Sequence, residues 1–198
     1  MPPIRIAARP ALGVVLALAA APAARAEPAS YAIDPEHFSA SFSANHLGYF
    51  NLVGLFTEGE GSFTYDEEAR ALSDLEVTIA TDSIFTGHED RDGHLMSADF
   101  LNAAEFPEMT FVMTGAERTG ERTGRVTGDL TLVGQTRPLT LDVTLNQIAP
   151  YPFGHGKRTI GITATGLIKR SDFGMTYFVP AVSDEIPLTL GFEANRED

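Results

Sequence analysis

Along most of this chain apolar and polar residues alternate one for one, and that periodicity limits the folds open to it. Phe38, Ala40, Phe42, Ala44 and His46 share one face, against Ser39, Ser41, Ser43 and Asn45. Leu75, Val77 and Ile79 alternate with Glu76 and Thr78, and Met109, Phe111 and Met113 share a face. The pattern returns at Val126–Leu132, Leu139–Leu145, Ile160–Ile168 and Ile186–Phe192. Strand side chains point to opposite faces in turn, so each run reads as a strand with one apolar and one wet side. Turn-forming clusters separate the runs at Asp66–Glu68, Gly120–Gly124, Gly134–Thr136 and Pro150–Gly156. With Phe50–Tyr65 counted as one segment, about eight strands emerge, the pattern of an all-β antiparallel architecture. No run has the unbroken apolar character of a buried parallel strand.

One stretch departs from the alternation. Thr86-Gly87-His88-Glu89 fits a capping box, with Thr86 as N-cap. It predicts a short helix from His88 to Met96, with Ser97 capping a further turn through Asp99 to Asn102. Pro107 then bars helix ahead of the Met109 run. A lone helix among strands suits a lid across a barrel end. A sandwich would fill itself, whereas an eight-stranded antiparallel barrel leaves room for one ligand. Long strands and large, flexible inward residues favour the barrel.

The N-terminal segment reads as an export signal. Arg5 and Arg9 precede an uncharged apolar run from Ala11 to Ala21, followed by Ala24-Arg25-Ala26. The run is too short to span a membrane. The expected division is therefore a cleaved signal over residues 1–26 and one domain over 27–198. Cleavage removes three arginines and no acid, taking the formal charge from −13 to −16. So acidic a surface repels phosphate backbones, which argues against nucleic acid as a partner. The chain has no cysteine, so thiol nucleophiles, thiolate metal sites and disulfides are excluded.

Catalytic constellations are thin. The segment His88-Glu-Asp-Arg-Asp-Gly-His94 gathers two histidines and three carboxylates. Positions six apart leave one helix face, however, unlike the i, i+4 pair that holds zinc in a protease helix. A solvated, capped helix is the simpler account. An enzyme acting on a buried amphiphile through this cluster is one alternative to a lipid carrier or store; a stress-related interaction protein whose cavity is incidental is another. No GxSxG elbow, phosphate loop or GxGxxG occurs, so the sequence indicates neither a catalytic residue, nor a metal, nor a cofactor. What stands out is apolar bulk. Phe38, Phe42, Phe56, Phe111, Met113, Phe173, Met175 and Phe192, with Ile79, Phe100, Leu130, Leu132, Leu141, Ile162 and the inward-pointing His46, are candidates to line a tube. Each methylene buried there contributes about 0.8 kcal/mol.

Many short motifs, in order, resemble the YceI-like family of secreted, lipocalin-like polyisoprenoid-binding barrels. They include Tyr31-Ala-Ile-Asp-Pro35, Asn45-His-Leu-Gly48, Gly61-Ser-Phe-Thr-Tyr-Asp66 and His88-Glu-Asp-Arg-Asp-Gly-His-Leu95. Gly128-Asp-Leu-Thr-Leu132, Pro138-Leu-Thr-Leu141 and Arg170-Ser-Asp-Phe-Gly-Met175 continue the series. The resemblance implies a periplasmic barrel with an isoprenoid quinone or polyprenyl phosphate inside. It also places Arg91 and His94 near the pocket mouth, where they would meet a headgroup. Phe38 stands where family members often carry a small polar residue and would trim the cavity. Members of the family are often dimers; for a homodimer here the sequence argues neither way.

Overall fold

A computed structural model of the protein describes residues 27–197; the expected export signal lies outside the described residues. The strands are β1 (Ala29–His46), β2 (Phe50–Phe56), β3 (Gly59–Asp66), β4 (Ala71–Ala80), β5 (Ile84–Phe85), β6 (Glu108–Arg118), β7 (Thr123–Leu132), β8 (Gln135–Pro150), β9 (Arg158–Lys169) and β10 (Glu185–Arg196), with the helix α1 (Glu89–Met96) between β5 and β6. All pair antiparallel. The order β1-β3-β4-β6-β7-β8-β9-β10 returns to β1, so eight strands form a closed barrel. Closure removes the exposed edges that an open sheet would present.

The other two strands complete positions already in the ring. The 18-residue β1 pairs through Ala29–Ala32 with β3 and through Ala40–His46 with β2. Thus β2 and β3 share one stave, and the segment expected as a single strand is broken at Thr57-Glu58. The two-residue β5 pairs with the end of β2 after a 3-10 turn at Thr81–Ser83. Glycines on this broken stave let rings lie across it: a Cβ on Gly54 would sit 2.3 Å from Phe42 Cζ, and one on Gly59 2.3 Å from Phe38 Cζ. The β1–β10 register shifts between Ile33 and Phe38. Pro35, which has no N–H to offer the ladder, sits in that irregularity, and Asp34 Oδ1 accepts from the Glu36 N–H at 3.0 Å.

The helix forms where the sequence places it, with a different cap. It begins at Glu89, and the His88 side chain accepts from the Arg91 N–H at 3.4 Å. Gly87, at φ 79°, turns the chain so that Thr86 stands outside the first turn. The Thr86 hydroxyl bonds instead to Asp92 and accepts from Arg91 Nε at 2.7 Å. Ser97 likewise closes α1, its hydroxyl donating to the His94 carbonyl at 2.7 Å, and only hydrogen-bonded turns follow it.

One barrel end carries α1 and the loop between Gly174 and Asp184; the other, the hairpin end, carries the turns after β3, β6 and β8. Near the hairpin end Tyr31, fully buried, stacks on Phe63 with ring centres 5.5 Å apart. Its hydroxyl donates to Glu67 at 3.1 Å, and Arg158 grips the same carboxylate through Nε at 2.6 Å and Nη2 at 2.5 Å. Arg158 holds the Glu67 carboxyl below the usual range, and burial together with Glu67 pushes the Tyr31 phenol up to about 12.

Candidate functional site

The inward faces of the staves do not fill the barrel. They surround a cavity of about 610 Å³, inside the 300–1,000 Å³ range of small-molecule sites. Its wall is overwhelmingly aliphatic and aromatic. The alternation fixes which residues reach it: Leu139, Leu141, Val143 and Leu145 from β8, and Ile186, Leu188, Leu190 and Phe192 from β10. The same cavity borders Met109 and Leu132 near the helix end and Arg118 and Gly124 at the hairpin end. Nine residue steps of β6 separate those limits; at ~3.3 Å per residue and ~40° tilt, the cavity runs roughly 23 Å along the barrel axis. It is a tunnel.

Of the residues singled out from sequence, Phe42, His46, Phe56, Ile79, Arg91, His94, Phe100, Phe111, Leu130, Leu132, Leu141, Ile162, Met175 and Phe192 border the tunnel. Phe38, Met113 and Phe173 do not. The Phe38 ring is spent on Gly59 in the barrel wall and so does not trim the cavity. Met113 adjoins the register shift between Met113 and Gly115, which hands the inward position to Ala116. Phe173 belongs to the 3-10 turn Arg170–Phe173 and is packed in solid core. Reasoning from sequence missed Leu52, Phe63, Tyr65, Leu72, Leu95 and Leu101. The alternation of Phe63 and Tyr65 was a usable signal for those two.

At the helix end most polar groups are engaged, and the His46 ring rests beside Phe50 with centres 5.7 Å apart. Arg91 donates through Nη2 to the Thr86 carbonyl at 2.8 Å as well as to its hydroxyl. His94 Nε2 lies 3.2 Å from Asp99, and its ring meets Phe100 and Tyr177 edge-on. The buried Arg170 donates to three carbonyls: Ser183 from Nε, Met175 from Nη1 and Val182 from Nη2, at 2.8–3.0 Å. Its guanidinium lies 5.8 Å from the centre of the Phe100 ring, within cation–π range. Burial lowers its pKa, opposed by Asp184. Arg170 thus staples the Gly174–Asp184 loop to the barrel, a role the sequence did not signal.

The hairpin end is different. Arg70, Arg118 and Arg122 border the cavity, and each donates to a backbone carbonyl: Glu121 (3.3 Å), Gly120 (2.7 Å) and Asn146 (3.0 Å), respectively. Among the described residues no carboxylate lies within 4.0 Å of these three cations, although Glu117 and Glu121 stand on the same rim. Arg125, next along β7, pairs instead with Asp142 at 3.5 Å. Tyr65 lines the cavity beside them. Burial raises the Tyr65 phenol, while Arg70 and Arg118 act in the opposite direction.

The His88–His94 cluster is dispersed: His88 caps the helix, Asp92 takes Thr86, and His94 takes Asp99. The group whose ligand atoms do converge is Asp34, His37 and Glu193, away from the tunnel on the bulge of β1 and on β10. There His37 Nδ1 lies 3.0 Å from Asp34 and 3.9 Å from Glu193. Hydrogen bonding to Asp34 raises the His37 pKa. Burial would raise Asp34, but its bonds from His37 and the Glu36 N–H prevail and lower it.

An antiparallel barrel of eight staves, closed around an apolar cavity and carrying, among the described residues, a single short α-helix at one end, defines a lipocalin-like class of protein. Within that class the chain belongs to the YceI-like family, whose YceI-like domain matches residues 31–194. It is 41% identical over 188 residues to Protein YceI of Escherichia coli O157:H7, covering 94% of this chain and 97% of that one. The crystal structure of the Campylobacter jejuni YCEI protein is 33% identical, with a TM-score of 0.71 over 78% of this chain and 90% of that one. Two further structures share the fold at lower identity. Burkholderia cenocepacia BcnA is 23% identical with a TM-score of 0.73, over 82% of this chain and 99% of that one. A polyisoprenoid binding domain from Saccharophagus degradans is 16% identical with a TM-score of 0.63, over 85% and 99%. No described helix is long and apolar enough to cross a membrane.

Proposed function

We propose that the protein is a periplasmic carrier or store for one long-chain isoprenoid-type lipid, held lengthwise inside the barrel and chemically unchanged. The observation that carries this reading is the tunnel: about 610 Å³ of space walled by aliphatic and aromatic side chains. Burial of a polyprenyl tail there gains about 0.8 kcal/mol per methylene, less the cost of ordering the chain. The Saccharophagus neighbour, described as polyisoprenoid binding, supports the ligand class. The N-terminal sequence supports export. A carrier needs no convergent acid–base pair, and around α1 His88, Asp92 and His94 are tied to three separate partners.

The test is native mass spectrometry of protein purified from its own export compartment, with a chloroform–methanol extract analysed alongside. One prenyl lipid per chain is expected. Adventitious short fatty acids alone would refute the isoprenoid assignment. Joint substitution of His88, Asp90, Asp92 and His94 should leave the identity of the bound lipid unaltered. Loss of a product with the lipid still bound would overturn the carrier reading in favour of an enzyme.

A further inference from the structure

The two tunnel ends differ in what they can offer a charged group. At the helix end, Arg170 is committed to three carbonyls, Arg91 gives two donors to Thr86, and His94 takes Asp99, so the cationic charge there is largely engaged and the His46 imidazole is a remaining polar group on the wall. At the hairpin end, Arg70, Arg118 and Arg122 each spend one N–H on a carbonyl. A guanidinium has five such donors, so most remain free, and the side chains are exposed at the rim. All three border the cavity and converge on one rim, in a chain where 27 acids outnumber 14 basic residues. Glu117 and Glu121 share the rim without pairing with them. Tyr65 also lines the tunnel, close enough to Arg70 and Arg118 for their charges to act on its phenol, and brings a neutral donor.

Guanidinium forks match the oxygens of a phosphoryl group geometrically as well as in charge. We infer that the hairpin end is the headgroup site, and that Arg70, Arg118, Arg122 and Tyr65 there select an amphiphile with a phosphoryl-type anion over a neutral one. The tail then runs from this rim toward α1, the reverse of the orientation that the family resemblance implies for Arg91 and His94. This inference rests on the carrier reading and narrows its ligand class.

The experiment compares three probes on the full mature chain by isothermal titration: a polyprenyl monophosphate, the uncharged polyprenol of the same length, and inorganic phosphate. The phosphate ester should bind about tenfold or more tightly than the alcohol at low salt, with the advantage shrinking as ionic strength rises. Replacing Arg70, Arg118 and Arg122 together by Gln should bring the two lipids to within about twofold of each other, chiefly by weakening the ester. Lys169→Gln, which removes a charge on a residue that does not border the tunnel, should leave the preference intact. Equal binding of ester and alcohol to the unsubstituted protein would overturn the headgroup site and leave lipid carriage standing. Binding of neither lipid would instead sink the carrier reading on which the site rests. Inorganic phosphate binding as tightly as the ester would identify a free anion as the occupant and overturn the lipid orientation.

Discussion

Replacing Leu141 by Asp separates a hollow interior from a solid one. Leu141 is 6% exposed and lies on β8 with its side chain on the tunnel. Its removal forfeits about 1.5–3 kcal/mol of apolar burial. The new carboxylate faces a space that water can enter from the hairpin rim. A shift of one to two pKa units there adds about 1.4–2.7 kcal/mol. The total, roughly 3–6 kcal/mol, is survivable against the 5–15 kcal/mol of a typical domain. At ~2–4 °C per kcal/mol for a domain of this size, the variant should melt ~6–24 °C lower and still purify as a folded barrel. Its tunnel, with a charge midway along it, should hold no lipid. Phe173→Asp is the comparison. Phe173 is 3% exposed and borders no cavity, so loss of its ring costs about 3–5 kcal/mol and an anion in dry packing costs several more. That protein should fail to accumulate. Circular dichroism melts and native mass spectra decide the matter. If Leu141→Asp unfolds as Phe173→Asp does, or still carries its lipid, the tunnel is not the binding space.

Two further predictions concern the polar groups outside the tunnel. Glu67→Gln removes the charge that Arg158 grips and weakens the Tyr31 bond. With both partners partly solvated, a loss of about 1–2 kcal/mol is expected by thermal or urea unfolding, diminishing below the ordinary carboxyl pKa, where the native contribution fades through protonation; an unaltered melting point at pH 7 would rule out the ion pair as a stabiliser. His37, whose pKa is raised by Asp34, contributes stability that is complete below its unfolded value and fades as pH rises through the folded one. An NMR titration should show the ring titrating above the ordinary imidazole range and returning toward it in Asp34→Asn; an ordinary midpoint in the parent protein would contradict the contact.

Most of the barrel was legible because period-two alternation reports the inward face directly. It put Leu139–Leu145 and Ile186–Phe192 each on one apolar face, and those faces border the tunnel. It failed past the β6 irregularity, since one extra residue reverses the faces: Ala116, opposite Val126, reaches the lining where strict alternation from Met113 points to Gly115. Met113 itself keeps the Phe111 face, opposite Gly128, and packs on the core without bordering the cavity. Phe38 was misplaced for another reason: it faces inward, but the absence of a side chain on Gly59 gives its ring a seat in the wall. Turn residues have no periodicity to read. Arg70 and Arg122 are such residues, and they meet at the rim only because hairpins distant in sequence end side by side. Thr86 satisfied the sequence rule for a cap, yet the left-handed Gly87 transferred that duty to His88.

The seam between β1 and β10 governs how such a protein can come into being. Ser30 and Glu197 are joined across it by backbone and side-chain hydrogen bonds, 167 positions apart. Bringing such distant segments together is slow, because the entropy of a very long loop is lost before any contact compensates it. Until the final strand docks, β1 and β9 each present a naked edge, and the greasy inner wall lies open like an unrolled mat. The β10 strand must therefore be made before a sealed vessel exists, and any helper that keeps the nascent chain apart from its neighbours has two sticky borders to guard.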